Sequence, residues 1–217
     1  MIYNNRMKAR RARRSRPTHG INMKRAFIVS IILGVALGSH AAEKEATMAQ
    51  FTLSSPSFQN NQPMPSKHSC EGEDASPALK WDGAPSVTKS FALICDDPDA
   101  PGGTWVHWVI YNIGPSRTGF DENIAKTDYS PEYNIEVTTR TASKVEGSTQ
   151  GINDFGKVGY GGPCPPRGHG THHYHFRLYA LDAELNLAPR VKRQQLDVAM
   201  KGHILAQAEL VGTYQRD

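Results

Sequence analysis

Two loop-building blocks, each leading into a strand-like run, constrain this chain more than any other feature. In the first, Asp97-Pro98-Asp99-Ala100-Pro101 precedes Trp105-Val106-His107-Trp108. In the second, Gly159-Tyr160-Gly161-Gly162-Pro163-Cys164-Pro165-Pro166-Arg167-Gly168 precedes His172-His173-Tyr174. Proline fixes φ, and glycine allows positive φ or close backbone approach. Segments so dense in both, with Asp, His and Tyr interspersed, suit preformed loops that hold polar groups around a small ligand. Alone, Asp-Pro-Asp reads as a turn, because Asp and Pro both favour turns. Paired with the second block, it reads as part of a site.

The intervening sequence leans to β. Residues 90–95 are a mostly apolar run of strand length, and residues 104–113 are rich in aromatic and β-branched side chains, so both are expected to be central strands. A shorter strand is expected at 135–139. Residues 172–182 alternate, with Phe176, Leu178 and Ala180 on the core side and His175, Arg177 and Tyr179 on the other. Leu196, Met200 and Ile204 recur at helical spacing, predicting a helix over 194–204 and a last strand over 205–214. The polar stretch 147–154 reads as a long loop inside the domain.

The two-residue strand period places the polar side chains. Counting back from Phe176, Tyr174 and His172 share its inward face, while His107 is expected beside Trp105, Val109 and Tyr111. A buried imidazole needs a partner or a ligand. His173 and His175 are expected to face away, and His68, His169 and His203 carry no signal.

The N-terminus reads as a leader. Met23, Lys24 and Arg25 give a positive start, residues 26–37 an apolar run, and Ser39 and Ala41 small residues at −3 and −1 of a cut before Ala42. Residues 1–22 carry seven basic groups and no acid, and are read as an upstream extension from an early start codon. Residues 23–41 are then the signal peptide, 42–50 a flexible lead-in, and 51–217 one domain. Nine of the 25 Lys and Arg and none of the 21 Asp and Glu precede residue 42, leaving 16 basic against 21 acidic groups and a formal net of −5. The basic balance belongs to the leader, so there is no electrostatic case for a nucleic-acid partner. No apolar run reaches the roughly 20 residues of a membrane span. The expected location is periplasmic or secreted.

Other chemistries find little support. His169, His172, His173 and His175 crowd together, but on a strand His172 opposes His173 and His175, and no Cys-x-x-Cys or His-Glu-x-x-His pattern is present. No metal and no cofactor are therefore expected. There is no Gly-x-Ser-x-Gly elbow, phosphate-binding Gly-Lys-Ser loop or dinucleotide fingerprint, so a binding module is expected rather than an enzyme.

Taken in order, the two blocks, with Ser76-Pro77-Ala78-Leu79-Lys80-Trp81 and Asn153-Asp154-Phe155-Gly156, resemble the phosphatidylethanolamine-binding, or Raf-kinase-inhibitor-like, family in its bacterial YbhB/YbcL branch. The resemblance covers residues 51–216. It implies a mainly β fold: a large central antiparallel sheet packed on a smaller sheet, with a few short helices. It also implies an anion pocket for phosphate-like or phosphorylethanolamine groups, carried over to Asp97, Asp99, His107, His172 and Tyr174, and, from bacterial members, a homodimer. Chemically, His107, His172 and the Tyr174 hydroxyl can bind phosphate oxygens, and backbone N–H groups near Gly161 and Gly162 can form an anion-binding concavity. Asp97 or Asp99 can orient a histidine or accept from a ligand ammonium. Three cysteines in an exported chain allow one disulfide. Cysteines recur at similar places in exported family members, which pairs Cys70 with Cys164 and leaves Cys95 a buried thiol. Two further readings remain: an interaction protein that inhibits a kinase or protease, and a weak hydrolase using His107 and Asp97.

Overall fold

The computed structural model describes residues 50–127 and 147–217. The leader, most of the lead-in and the strand expected at 135–139 lie outside the described residues. In chain order the elements are β1 (Thr52–Ser54), β2 (Gln62–Pro63), a 3-10 turn (Ser66–His68), β3 (Leu79–Asp82), β4 (Ser90–Asp97), β5 (Trp105–Ile113), β6 (Gly119–Phe120), β7 (Thr149–Gln150), β8 (His172–Leu181), α1 (Arg193–Met200) and β9 (Ile204–Tyr214). All belong to one compact unit, Ala46–Asp217.

Strand β4 anchors the architecture. All eight of its residues are buried, as a near-continuous apolar run requires when both faces are covered. It pairs antiparallel with β5 and β8 inside a six-stranded sheet of order β2-β9-β8-β4-β5-β7. Among the described strands only the two-residue β2 runs parallel to its neighbour, β9. A second sheet, β1-β3-β6, packs on one face. There Leu53, Leu79, Trp81 and Phe120 meet Phe91, Leu93, Trp108 and Phe176 in one apolar cluster. The other face is covered by α1 and the segment before it: Leu185, Val191, Leu196 and Met200 pack on Ala92, Ile94, Val109, Tyr111 and Tyr179. Thus the mainly β, two-sheet expectation holds, and Tyr179, expected to face outward, lies beneath this second layer.

Three elements differ from expectation for identifiable reasons. The helix stops at Met200 because Lys201 is extended and Gly202 takes φ +86°, and Ile204 opens β9 instead of closing the helix. Within 147–154 lies β7, which pairs with β5. Its polar Gln150 is buried, accepting a hydrogen bond from Trp108 Nε1 at 2.9 Å and donating to the carbonyls of Ala125 and Thr127. Buried polar side chains are hydrogen-bonded, so polarity alone misjudges such a segment.

The third difference is in β5, which carries two extra residues relative to β4. Leu93 faces Ile110 and Phe91 faces Ile113, leaving Asn112 extra, at φ +52° with its side chain bonded to both backbone groups of Leu185. Likewise Cys95 faces Trp108 while Asp96 faces Val106, which leaves His107 extra. Each is a β-bulge, and a bulge shifts the facing of side chains on its two sides. His107 is therefore not on the face of Val109 and Tyr111, which belong to the α1 side. Its ring packs edge-on against Tyr174, on the inter-sheet side.

Asp96 faces the α1 side, 1% exposed and ion-paired to both Arg177 of β8 and Arg193 of α1. Removing the carboxylate takes the buried acceptor from two partly buried guanidiniums, which keep only the more exposed Glu209 and Asp197. Asp96→Asn is expected to lower unfolding free energy by about 2–3 kcal/mol. Urea denaturation checks this, and an unchanged midpoint contradicts it.

Candidate functional site

A cavity of about 290 Å³ opens where the ends of β4, β5 and β8 meet, with Asp97, His107, His172 and Tyr174 at its polar end. Strand alternation sends Asp97 to the face opposite Asp96. Its Oδ1 accepts the Asp99 N–H at 2.9 Å, an Asx turn that folds the proline loop back, and its Oδ2 lies 2.7 Å from His172 Nδ1. His172 and Tyr174, alternate residues at the start of β8, are each 1% exposed. Ala100, Trp105, Phe155, Pro165 and Pro166 supply mostly apolar walls.

The second block holds His107 in place. The His107 carbonyl accepts the Gly161 N–H at 2.9 Å, and His107 Nδ1 lies 2.6 Å from the Gly161 carbonyl. A carbonyl can only accept, so Nδ1 carries the proton and Nε2 is the nitrogen left for a ligand. Burial lowers the His107 pKa from its ordinary 6.5, opposed by the Gly161 carbonyl and the charge of Asp97. The free ring is therefore neutral near pH 7, with Nε2 an acceptor. Burial, with Asp97 nearby, pushes the Tyr174 pKa upward, so its hydroxyl keeps its proton. That hydroxyl is buried beside the Asp97 carboxylate but makes no hydrogen bond of normal length and angle, alone in this among the buried side-chain N and O atoms of the described residues. Among the described residues no Lys or Arg lines the cavity.

Four of the six expected ligand residues are thus brought together, and two are not. Asp99 turns outward, where its Oδ2 accepts from the backbone N–H of His173 at 2.9 Å and lies 2.7 Å from His173 Nδ1. Gly162 is absent from the cavity lining, and its N–H donates to Asp74 Oδ1 at 2.6 Å. A Cβ there would lie 2.2 Å from the His68 carbonyl oxygen, so the glycine serves close packing. With the Gly161 and Gly162 N–H groups both engaged, the expected backbone concavity is not formed at these residues. Next to them, Cys70 and Cys164 are joined by a disulfide, and the Cys70 N–H donates to the Pro163 carbonyl at 3.0 Å. Cys95 is a buried free thiol whose pKa is raised by burial.

One residue carried no signal in the sequence: His169. Its Nδ1 lies 2.8 Å from His172 Nε2, so Asp97, His172 and His169 form one chain of hydrogen-bonding groups from the core to the surface. Gly168 and Gly170, both at positive φ, flank it and turn the loop back onto β8. Among the described residues no group of three or more His, Cys, Asp or Glu is arranged to hold a metal, and no helix is long and apolar enough to cross a membrane.

Comparison with known proteins agrees with this fold. The family model for phosphatidylethanolamine-binding protein matches residues 54–215. A UPF0098 protein of Methanothermobacter thermautotrophicus is 46% identical over 164 residues, spanning 76% of this chain and 98% of the relative. One from Pyrococcus horikoshii is 49% identical over 159 residues, 73% of this chain and 74% of its own length. Among solved structures, Escherichia coli YbcL, described as a member of the mammalian family, superposes with a TM-score of 0.66 at 32% identity, covering 78% of this chain and all of YbcL. A homologue from Chlamydia trachomatis gives 0.64 at 37% identity, covering 78% and 99%. The chain belongs to the phosphatidylethanolamine-binding protein family.

Proposed function

We propose that this protein is exported and binds the phosphoryl head of a small ligand, or another small oxyanion, in the cavity bounded by Asp97, His107, His172 and Tyr174. The observation that carries the reading is the Tyr174 hydroxyl, buried at the polar end of a cavity beside the Asp97 carboxylate and without a well-formed hydrogen bond among the described residues. An unsatisfied buried donor costs free energy that a bound oxygen acceptor returns. His107 Nε2 adds a second ligand-facing group. Asp97, held by His172 and its own turn, keeps that imidazole in a fixed orientation. Membership of a family described as phosphatidylethanolamine-binding supports a binding role. Export is supported by the leader in the sequence and by a disulfide, which persists in oxidising compartments.

Because no Lys or Arg is among the described residues that line the cavity, the proposed source of compensating charge for a bound anion is a proton. His107 is neutral in the free protein, its pKa below 6.5, and an anion at Nε2 raises that pKa, so binding takes up a proton. The affinity is then greatest in mild acid and falls as pH rises toward 8. Sulfate is the test ligand, because its own charge is constant over this range. Calorimetry is expected to show weaker binding at pH 8 than at pH 5.5, with the dependence abolished in His107→Gln. Flat affinity across the range contradicts the linkage. In the ligand-free protein the same depressed pKa makes the unfolded chain the stronger proton binder, so stability present above pH 6.5 declines as pH falls below it.

A second expectation isolates the hydroxyl. Tyr174→Phe removes one oxygen and keeps the ring in the core. It is expected to weaken phosphoethanolamine binding by about tenfold while leaving the thermal midpoint unchanged or higher, since the variant no longer buries an unpaired donor. Unchanged affinity in calorimetry overturns the assignment.

A further inference from the structure

The Asn153-Asp154-Phe155-Gly156 motif is only partly used by this cavity, and its geometry has a second consequence. Buried Asn153 organises the loop from within: its Oδ1 accepts the N–H groups of Phe155 at 3.1 Å and Lys157 at 3.0 Å, and its Nδ2 donates to the Gly159 carbonyl at 2.9 Å. Asp154 fixes the loop to the edge of β5, donating its N–H to the Val106 carbonyl and accepting the Val106 N–H at Oδ2. Gly156, at φ +73°, completes the turn. The result is a hydrogen-bonded platform on which Phe155 and Lys157, like Asp154, are exposed.

Phe155 is a partition. Its ring meets Trp105 and His107 edge-on, with centroids 5.5 and 5.3 Å away, and lies over Gly161, where a Cβ would come within 2.7 Å of it. On its far side is another cavity, of about 320 Å³, lined by Asp74, Lys157, Tyr160, Gly161 and Gly162. Phe155 and Cys164 line both cavities. The two differ in charge. In the second, Asp74 is already neutralised by Lys126, 2.6 Å away, and accepts the Gly162 N–H. Lys157 has no acid in ion-pair reach among the described residues. Among the described residues, one cavity therefore offers hydrogen-bonding groups without a Lys or Arg, and its neighbour across one aromatic ring offers a lysine outside any ion pair.

We infer that the two cavities are compartments of one site, and that Lys157 selects ligands carrying a second acidic group joined to the first by a short apolar linker that crosses Phe155. This rests on the anion reading of the first cavity. The ligand class is a phosphate or phosphonate linked to a carboxylate. Lys157 is exposed, so its contribution is that of a screened ion pair, a few-fold in affinity at low ionic strength and less in salt.

The test is a series of straight-chain phosphonocarboxylates of increasing length, each compared by calorimetry with the methyl-ended alkylphosphonate of the same length. At one chain length the carboxylate is expected to tighten binding by about three- to fivefold at low ionic strength. The gain is expected to vanish in Lys157→Met, persist in Lys157→Arg and shrink with added salt. If the alkylphosphonates bind but no length shows a gain, or the gain survives Lys157→Met, the second compartment is overturned and the first cavity stands. If neither series binds, both readings fall.

Discussion

The cavity depends on one extra residue in β5. Because His107 has no counterpart in β4, the strand turns its imidazole out of the α1-side layer and against Tyr174, while Val109 and Tyr111 remain under the helix. Such a bulge persists when neighbours fix it from outside the ladder. Here Gly161 does so twice, bonding to the His107 carbonyl through its N–H and to Nδ1 through its own carbonyl. The same contact sets the tautomer, and hence which nitrogen meets a ligand. The glycine-proline block is in this sense the mould of the bulge. Its anchors, the Gly162 bond to Asp74, the Tyr160 bond to the His68 carbonyl and the disulfide to Cys70, hold it against the 3-10 turn and the loop that follows.

Adjacent residues divide structural and chemical work by strand alternation. Asp96 ties β4 to β8 and α1 through two arginines, whereas Asp97, one residue on, faces the cavity and orients His172. A buried carboxylate surrounded by arginines is a structural ion pair. One held by a histidine and its own turn, beside the buried Tyr174 hydroxyl and with no Lys or Arg among the described residues that line the cavity, is poised for a ligand. The cavity's mostly apolar walls lower the local dielectric and strengthen what few polar contacts it offers.

Much of this was legible in the chain. The apolar run at 90–95 and the alternation after His172 give β4 and β8 directly, and the position of Tyr174 and His172 on the Phe176 face follows from the two-residue period. What escaped is what a period cannot show. Nothing in Trp105-Val106-His107-Trp108 marks the extra residue, and Asn112, of a type that tolerates positive φ, was the available hint of the other bulge. Asp99 and Gly162 belong to the right motifs, but which partner each takes, His173 and Asp74, depends on segments far apart in sequence. His169 was missed because a loop histidine between glycines acquires meaning only when the loop folds back onto β8. Thr149 and Gln150 form a strand whose polarity is offset by partners that composition does not reveal.

The most direct test of the central claim is a crystal structure of the protein grown in mild acid with phosphoethanolamine. The account predicts phosphoryl oxygens within hydrogen-bond distance of both Tyr174 Oη and His107 Nε2, with His172 still bonded to Asp97. An anion found elsewhere, with Tyr174 Oη paired to a protein group and the cavity holding only water, would contradict it.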